Sequence, residues 1–134
     1  MAQKRNILLF LTDILQEIEG IERGGLAGFP RLSNHVVESY VALGKQKFLS
    51  DETIQKATFF RLQTIGEAVN KLPEELKAKY PNVPWRDIVS FRNLLVHRYW
   101  RIDLNVVWAI MNSDTDSIVE LKPVIQKLIK ELSS

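Results

Sequence analysis

Apolar residues return at intervals of three and four along most of the chain, a spacing that predicts helices rather than strands. Ile7, Leu8, Leu11, Ile14, Leu15 and Ile18 make one buried face of a helix over residues 3–20. Gly20 alone does not end that helix, whereas Gly24 and Gly25 do, and residues 24–32, with three glycines and a proline, read as a loop. Ser33 or Asn34 can then cap a helix running through Val36, Val37, Tyr40, Val41 and Leu43. A break or bend is expected over 44–49. The next helix, over 51–71, has Ser50 as its expected N-cap, with Asp51 and Glu52 in the first turn. Its packing side is Ile54, Ala57, Thr58, Arg61, Ile65, Ala68 and Val69. Gly66 in that stripe predicts a close crossing with another helix, because no Cβ holds the two backbones apart.

Pro73 can open a short helix through Leu76 and Tyr80, and the Pro81–Pro84 turn stops it. The pattern then continues as a helix over 86–101, with Trp85 as a core anchor and Ile88, Phe91, Leu94, Leu95 and the aliphatic stem of Arg98 as its inner face. Asp103 is a candidate cap for a helix reaching Asn112, with Val106, Val107 and Ile110 inward. A polar linker over 112–117 leads to a last helix, 117–132, that buries Ile118, Leu121, Ile125, Leu128, Ile129 and Leu132. Pro123 either marks its first turn or costs it a backbone hydrogen bond. No strand pattern or repeat competes with these elements. The expected architecture is all-α, an antiparallel four-helix bundle with one or two extra short helices, in a single domain over 1–134.

Composition adds exclusions. A chain of 134 residues, 46% apolar and 25% charged, suits one soluble domain. A net charge of +2 permits contact with a polyanion without requiring it. The absence of cysteine excludes disulfides and thiolate metal sites and suits a reducing compartment. The apolar run Ile7–Leu11 follows basic residues, as in a signal peptide, but Thr12 and Asp13 interrupt it and no small-residue cleavage site follows, so a cytoplasmic helix is expected. No apolar stretch reaches the roughly 18 residues of a membrane span.

The chemistry concentrates between Trp85 and Arg101. Four arginines, Arg86, Arg92, Arg98 and Arg101, stand there against one acid, Asp87. On a continuous helix Arg92 and Tyr99 would fall about 20° apart, Asn93 and His97 would be neighbours, and Arg92 and His97 would be separated by about 140° and about 7.5 Å of rise. An arginine offers a planar fork of donors for phosphate oxygens, and histidine, with a free pKa of about 6.5, exchanges a proton near neutrality. An Arg and His pair with no metal cage suits cleavage of a phosphodiester that carries its own nucleophile, the 2'-hydroxyl of RNA. A single histidine in an amphipathic helix also serves simply as a structural residue, and both readings stand on residue types alone.

Arg92-Asn93-Leu94-Leu95-Val96-His97-Arg98-Tyr99 resembles the Arg-x4-His-x-Tyr motif of HepT-like proteins in the HEPN superfamily. The flanks are similar in the same order: Ile65-Gly66-Glu67-Ala68, Leu72-Pro73-Glu74-Glu75-Leu76, Pro81-x-x-Pro84-Trp85-Arg86-Asp87-Ile88, Ile102-Asp103-Leu104 and Val107-Trp108. The likeness runs from about residue 48 to 125 and implies a helical HEPN bundle. It implies a metal-independent ribonuclease toxin that needs no cofactor, with Arg92 binding the scissile phosphate and His97 as general acid or base. In that reading Asn93 supports the pair, and Arg98 and Arg101 track the RNA backbone. One motif histidine cannot readily be base and acid at once, which a homodimer sharing one cleft would repair. The implied partner is an MntA-like nucleotidyltransferase antitoxin, the only component that needs ATP, which would transfer AMP to Tyr99. An alternative keeps that partner and makes this chain its non-catalytic binding or regulatory subunit; a further one is a purely structural helical dimer. The resemblance sets Glu67 beside the Gly66 crossing, where it is either a solvated acid or a partner for a basic helix. Residues 22–46 are more elaborate than a compact family member needs, and His35 there is read as a surface or interface residue. No motif specifies the RNA target.

Overall fold

Helices α1 (Ala2–Glu22), α2 (Gly44–Ser50), α3 (Glu52–Asn70), α4 (Glu74–Lys77), α5 (Trp85–His97), α6 (Leu104–Asn112) and α7 (Ile118–Ser133) are the elements of the computed structural model, with a 3-10 turn at Tyr99–Arg101. It describes residues 2–22, 44–112 and 118–133, and no strand occurs among them. The fold is the expected all-α arrangement. The glycine-rich loop over 24–32, the helix expected through Leu43, His35 and the polar linker lie outside the described residues.

The long helices run antiparallel where they cross. Arg61 of α3 meets Glu17 and Gly20 of α1, while Lys71, at the far end of α3, lies 5.5 Å over the ring of Phe10. The core between them is made by the faces that periodicity picks out. Leu11, Ile14 and Ile18 of α1, Ile65 and Val69 of α3, Val107 of α6 and Ile125 and Leu128 of α7 are all but inaccessible to solvent. Full burial of such side chains stabilises by about 1.5–3 kcal/mol each.

Arg61 is a charged side chain buried inside that core. Its guanidinium donates to Glu17 at 3.0 Å, and it fills the space that a Cβ on Gly20 would occupy. Burial raises the Glu17 pKa above the ordinary carboxylate value; Arg61 pulls it back down and Asp13 adds to the rise. Desolvation therefore outweighs the attraction of the paired arginine, as happens when a charge is taken out of water.

Several local expectations change. The segment expected to bend over 44–49 is helix α2, and it buries Phe48 against Trp108 with ring centroids 5.8 Å apart. Ser50 is the last residue of α2 and not the cap of α3: its hydroxyl donates to the Lys47 carbonyl, and Asp51 accepts from the Ile54 N–H at 3.1 Å as the cap. Asp103 performs the expected role, accepting from the Asn105 N–H at 2.9 Å. Pro123 lies inside α7, beyond its first turn, and so removes a helical hydrogen bond. Leu94 and Val106 are exposed rather than inward.

The helix expected over 86–101 ends at His97. Arg98 leaves helical geometry at φ −143° and ψ 38°, its N–H still bonding the Leu94 carbonyl, and Arg101 closes the following turn on the Arg98 carbonyl. The cause is tertiary: α6 must bury Val107 and set Trp108 on Phe48, and it packs on α2 and α7, off the axis of α5. Arg92 and Tyr99 therefore do not share a face of one continuous helix.

Candidate functional site

The site is built on α5, whose start is fixed by Trp85. Its buried indole donates Nε1–H to the carbonyls of Lys77 and Tyr80, each at 3.0 Å, which ties the Pro81–Pro84 turn and α4 to the beginning of the helix. Seven residues on, Arg92 lies where α5 crosses α3. The glycine predicted to allow a close crossing is the seat of this arginine: a Cβ on Gly66 would collide with the Cβ of Arg92 and come within 3.3 Å of the Ile88 carbonyl oxygen.

Two hydrogen bonds hold the guanidinium. Arg92 Nη2 donates to Glu67 Oε1 at 3.2 Å, and Arg92 Nη1 donates to Asn93 Oδ1 at 2.9 Å. Gln63 reaches the same Glu67 oxygen at 3.5 Å. Arg92 Nε is buried and makes no hydrogen bond. A guanidinium has five N–H donors, so each terminal nitrogen keeps one for an anion. Arg92 and Glu67 are both part-exposed, with side-chain accessibilities of 31% and 41%, so the pair contributes orientation more than stability.

Asn93 lies between this anchor and His97 round the helix axis. On α5 it stands about 100° round from Arg92 and about 40° from His97, and by accepting from Nη1 it draws the guanidinium toward the histidine's side. Asn93 is thus engaged by Arg92 rather than by His97. His97 is exposed at the last residue of the helix. Arg98 and Arg101 follow, also exposed, and residues 97–101 contain no acid. The backbone of Tyr99 enters the 3-10 turn; its side chain is not among those described.

Of the residues singled out from sequence, Arg92 and Asn93 are in contact, while His97 ends the same helix and Arg98 and Arg101 follow in the turn beyond it. Glu67 proves to be a partner for the basic helix. What sequence reasoning missed is that Gly66 and Glu67 serve Arg92 specifically; the signal available was a glycine in a packing stripe followed by an acid. No group of three or more His, Asp or Glu side chains able to hold a metal ion occurs among the described residues, and no helix among them is long and apolar enough to cross a membrane.

Gly66→Ala is expected to push Arg92 out of its seat, lowering stability by about 1–3 kcal/mol through overpacking and cutting any Arg92-dependent activity far more than the lost stability explains. Thermal unfolding beside an activity assay at a temperature where the variant is folded checks this. Wild-type activity in a folded variant would show that the crossing does not position Arg92.

A family model described as Ribonuclease HepT-like matches residues 33–128. A protein named "Probable ribonuclease HepT" from Thermococcus cleftensis is 35% identical over 127 residues, covering 95% of this chain and 99% of its own. Two proteins of Methanocaldococcus jannaschii, each named "Putative RNase", are 31% identical. One match spans 115 residues, 86% of this chain and 92% of the relative; the other spans 126 residues, 93% and 92%. No solved structure matches the chain.

Proposed function

The chain belongs to the ribonuclease HepT-like family, and on that premise we propose that it is a metal-independent endoribonuclease with Arg92 and His97 as its catalytic residues. The observation that carries the assignment is the seating of Arg92. A guanidinium wedged against Gly66, paired with Glu67 and drawn toward the histidine's side by Asn93 is oriented before substrate arrives, which electrostatic catalysis requires. A module that only binds a protein partner has no need of that arrangement.

The reaction balances without a cofactor. A base removes the proton of the 2'-hydroxyl, whose oxygen attacks the adjacent phosphorus; the bond to the 5'-oxygen breaks, and an acid returns a proton to that leaving oxygen. The products are a 2',3'-cyclic phosphate and a 5'-hydroxyl. Arg92 binds the non-bridging oxygens as charge accumulates on them. His97 supplies one proton transfer, and in a homodimer whose two α5 helices face one cleft the partner subunit's His97 supplies the other. Arg98 and Arg101 contact flanking phosphates and contribute affinity without base preference. Purified protein incubated with single-stranded RNA in excess chelator should yield those two ends and sediment at twice the 15.5 kDa chain mass. Cleavage only after a divalent metal is added, or 3'-hydroxyl ends, would sink the mechanism.

The same reading makes the chain a cytoplasmic toxin that an MntA-like nucleotidyltransferase antitoxin silences by moving AMP from ATP onto Tyr99. The motif resemblance supports that transfer. The inhibition follows from position: Tyr99 is two residues past His97, among arginines, so an adenylate there brings a tethered phosphodiester to the place where RNA phosphate binds. A charge-assisted contact with those arginines is stronger than a neutral hydrogen bond, and tethering raises the effective concentration to the order of millimolar. Incubation with the nucleotidyltransferase and ATP, followed by peptide mass spectrometry, should find AMP on Tyr99 and a protein that no longer cleaves. Adenylated protein cutting RNA at the unmodified rate would overturn this role.

A further inference from the structure

His97 is the last member of an exposed stripe on α5. Arg86, Ser90, Asn93 and His97 are spaced by four, three and four residues, fall within about 60° of one another round the helix axis, and are all exposed. The far end of the stripe opens into a cleft of about 670 Å³, which Arg86 and Ser90 line together with Asn70 of α3, Lys77 of α4 and Asp87. Along the axis the cleft lies about 10 Å (Ser90) to about 16 Å (Arg86) from His97.

The chemistry of the cleft differs from that of the basic end. Around His97 the charged groups are Arg98 and Arg101, which suit phosphate. In the cleft Lys77 and Arg86 are balanced by Glu74 and Asp87, and the Lys77 ammonium already lies 3.5 Å from Glu74. A run of phosphates gains little there. A nucleobase fits better: its faces are apolar and its edge both donates and accepts. The cleft offers apolar wall from Val83, Pro84 and Val89, donors from Arg86, acceptors from Asp87, and groups that do both from Asn70 and Ser90. The wall is fixed in advance, because the Trp85 indole N–H is spent on the Lys77 and Tyr80 carbonyls and its ring is buried. Preorganisation of that kind reduces the cost of binding.

We infer that this cleft is a base-reading subsite for one unpaired nucleotide of the RNA, reached along the Arg86–Ser90–Asn93–His97 stripe and set a fixed number of nucleotides from the bond that is cut. The inference rests on the ribonuclease reading for the identity of the strand. It assigns Asn70, Asp87 and Ser90 to sequence preference, a role separate from cleavage, and Arg86 to the phosphate that enters the cleft.

The test is binding of the full-length protein to fully 2'-O-methylated single-stranded RNA, which lacks the nucleophile and cannot be cut in this way. Oligonucleotides with each of the four bases in turn at every position are compared by fluorescence anisotropy. The expected result is one position with a base preference of roughly tenfold, in line with a well-made base contact. Asn70→Ala combined with Asp87→Asn should erase that preference, leaving the helical circular dichroism and the salt dependence of binding unchanged. Natural RNA, with cut sites mapped, should show the same base at the same offset in wild type and lose it in the double variant. Equal affinity for all four bases at every position, or a preference that survives the double variant, overturns the inference. A preference in the methylated RNA that the variant abolishes, with natural RNA left uncut, upholds the subsite and rejects the ribonuclease reading instead.

Discussion

His97→Ala is expected to lower RNA cleavage by at least a hundredfold while the fold is kept. The size follows from the job: general acid–base catalysis contributes about 10²–10⁴ per group, and in a symmetric dimer one substitution removes both the base and the acid. The preservation of fold follows from place. His97 is exposed at the last residue of α5, and the turn after it is held by backbone bonds, from the Arg98 N–H to Leu94 and from the Arg101 N–H to Arg98. Surface substitutions of that kind change stability by about 0.5 kcal/mol or less. Single-turnover cleavage, thermal unfolding and binding of 2'-O-methylated RNA should be measured together. The expected pattern is lost cleavage with the melting temperature and the affinity retained. An H97A protein that cuts at the wild-type rate with unchanged helicity removes the histidine from the mechanism.

Arg92→Lys is expected to give the second large effect, and the more informative one because the charge is conserved. The Cβ and Cγ that rest on Gly66 are present in lysine too, so the α3–α5 crossing survives. An ammonium can still face Glu67. It cannot reach Glu67 and Asn93 while also presenting a planar pair of donors, as Arg92 does with Nη2 on one and Nη1 on the other. Loss of one oriented donor at a developing oxyanion costs about 10²–10³ in kcat, whereas ground-state attraction to RNA changes little. The expectation is therefore a fall in kcat with KM nearly unchanged. If KM rises and kcat holds, Arg92 only binds substrate, and charge stabilisation belongs to Arg98 or Arg101.

The spacing of apolar residues was enough to place the long helices, because a helix that buries one face must repeat every three to four residues whatever it packs against. Gly66 announced a close crossing for an equally local reason, the missing Cβ. The concentration of arginine with one histidine between residues 86 and 101 was likewise visible before any fold was known. Trp85 could be read as an anchor from its bulk after a proline turn, and its indole N–H then found two carbonyl partners.

Contacts between distant residues were beyond that reach. Glu67 and Arg92 are 25 positions apart, and nothing in the spacing of either helix says that the residue crossing Gly66 is the motif arginine itself. Arg61 was visible in a packing stripe, yet only the approach of α1 supplies Glu17 and the gap at Gly20 that make its burial tolerable. The end of α5 was set in the same way. Residues 98–101 have no helix breaker, and periodicity carries the helix through them, but burial of Val107 and the packing of Trp108 on Phe48 turn the chain at Arg98. Local sequence thus placed the long helices and the cluster of arginines with one histidine. Where helices stop and which acid meets which base were decided by tertiary packing, since each depends on a second segment whose position no local pattern specifies.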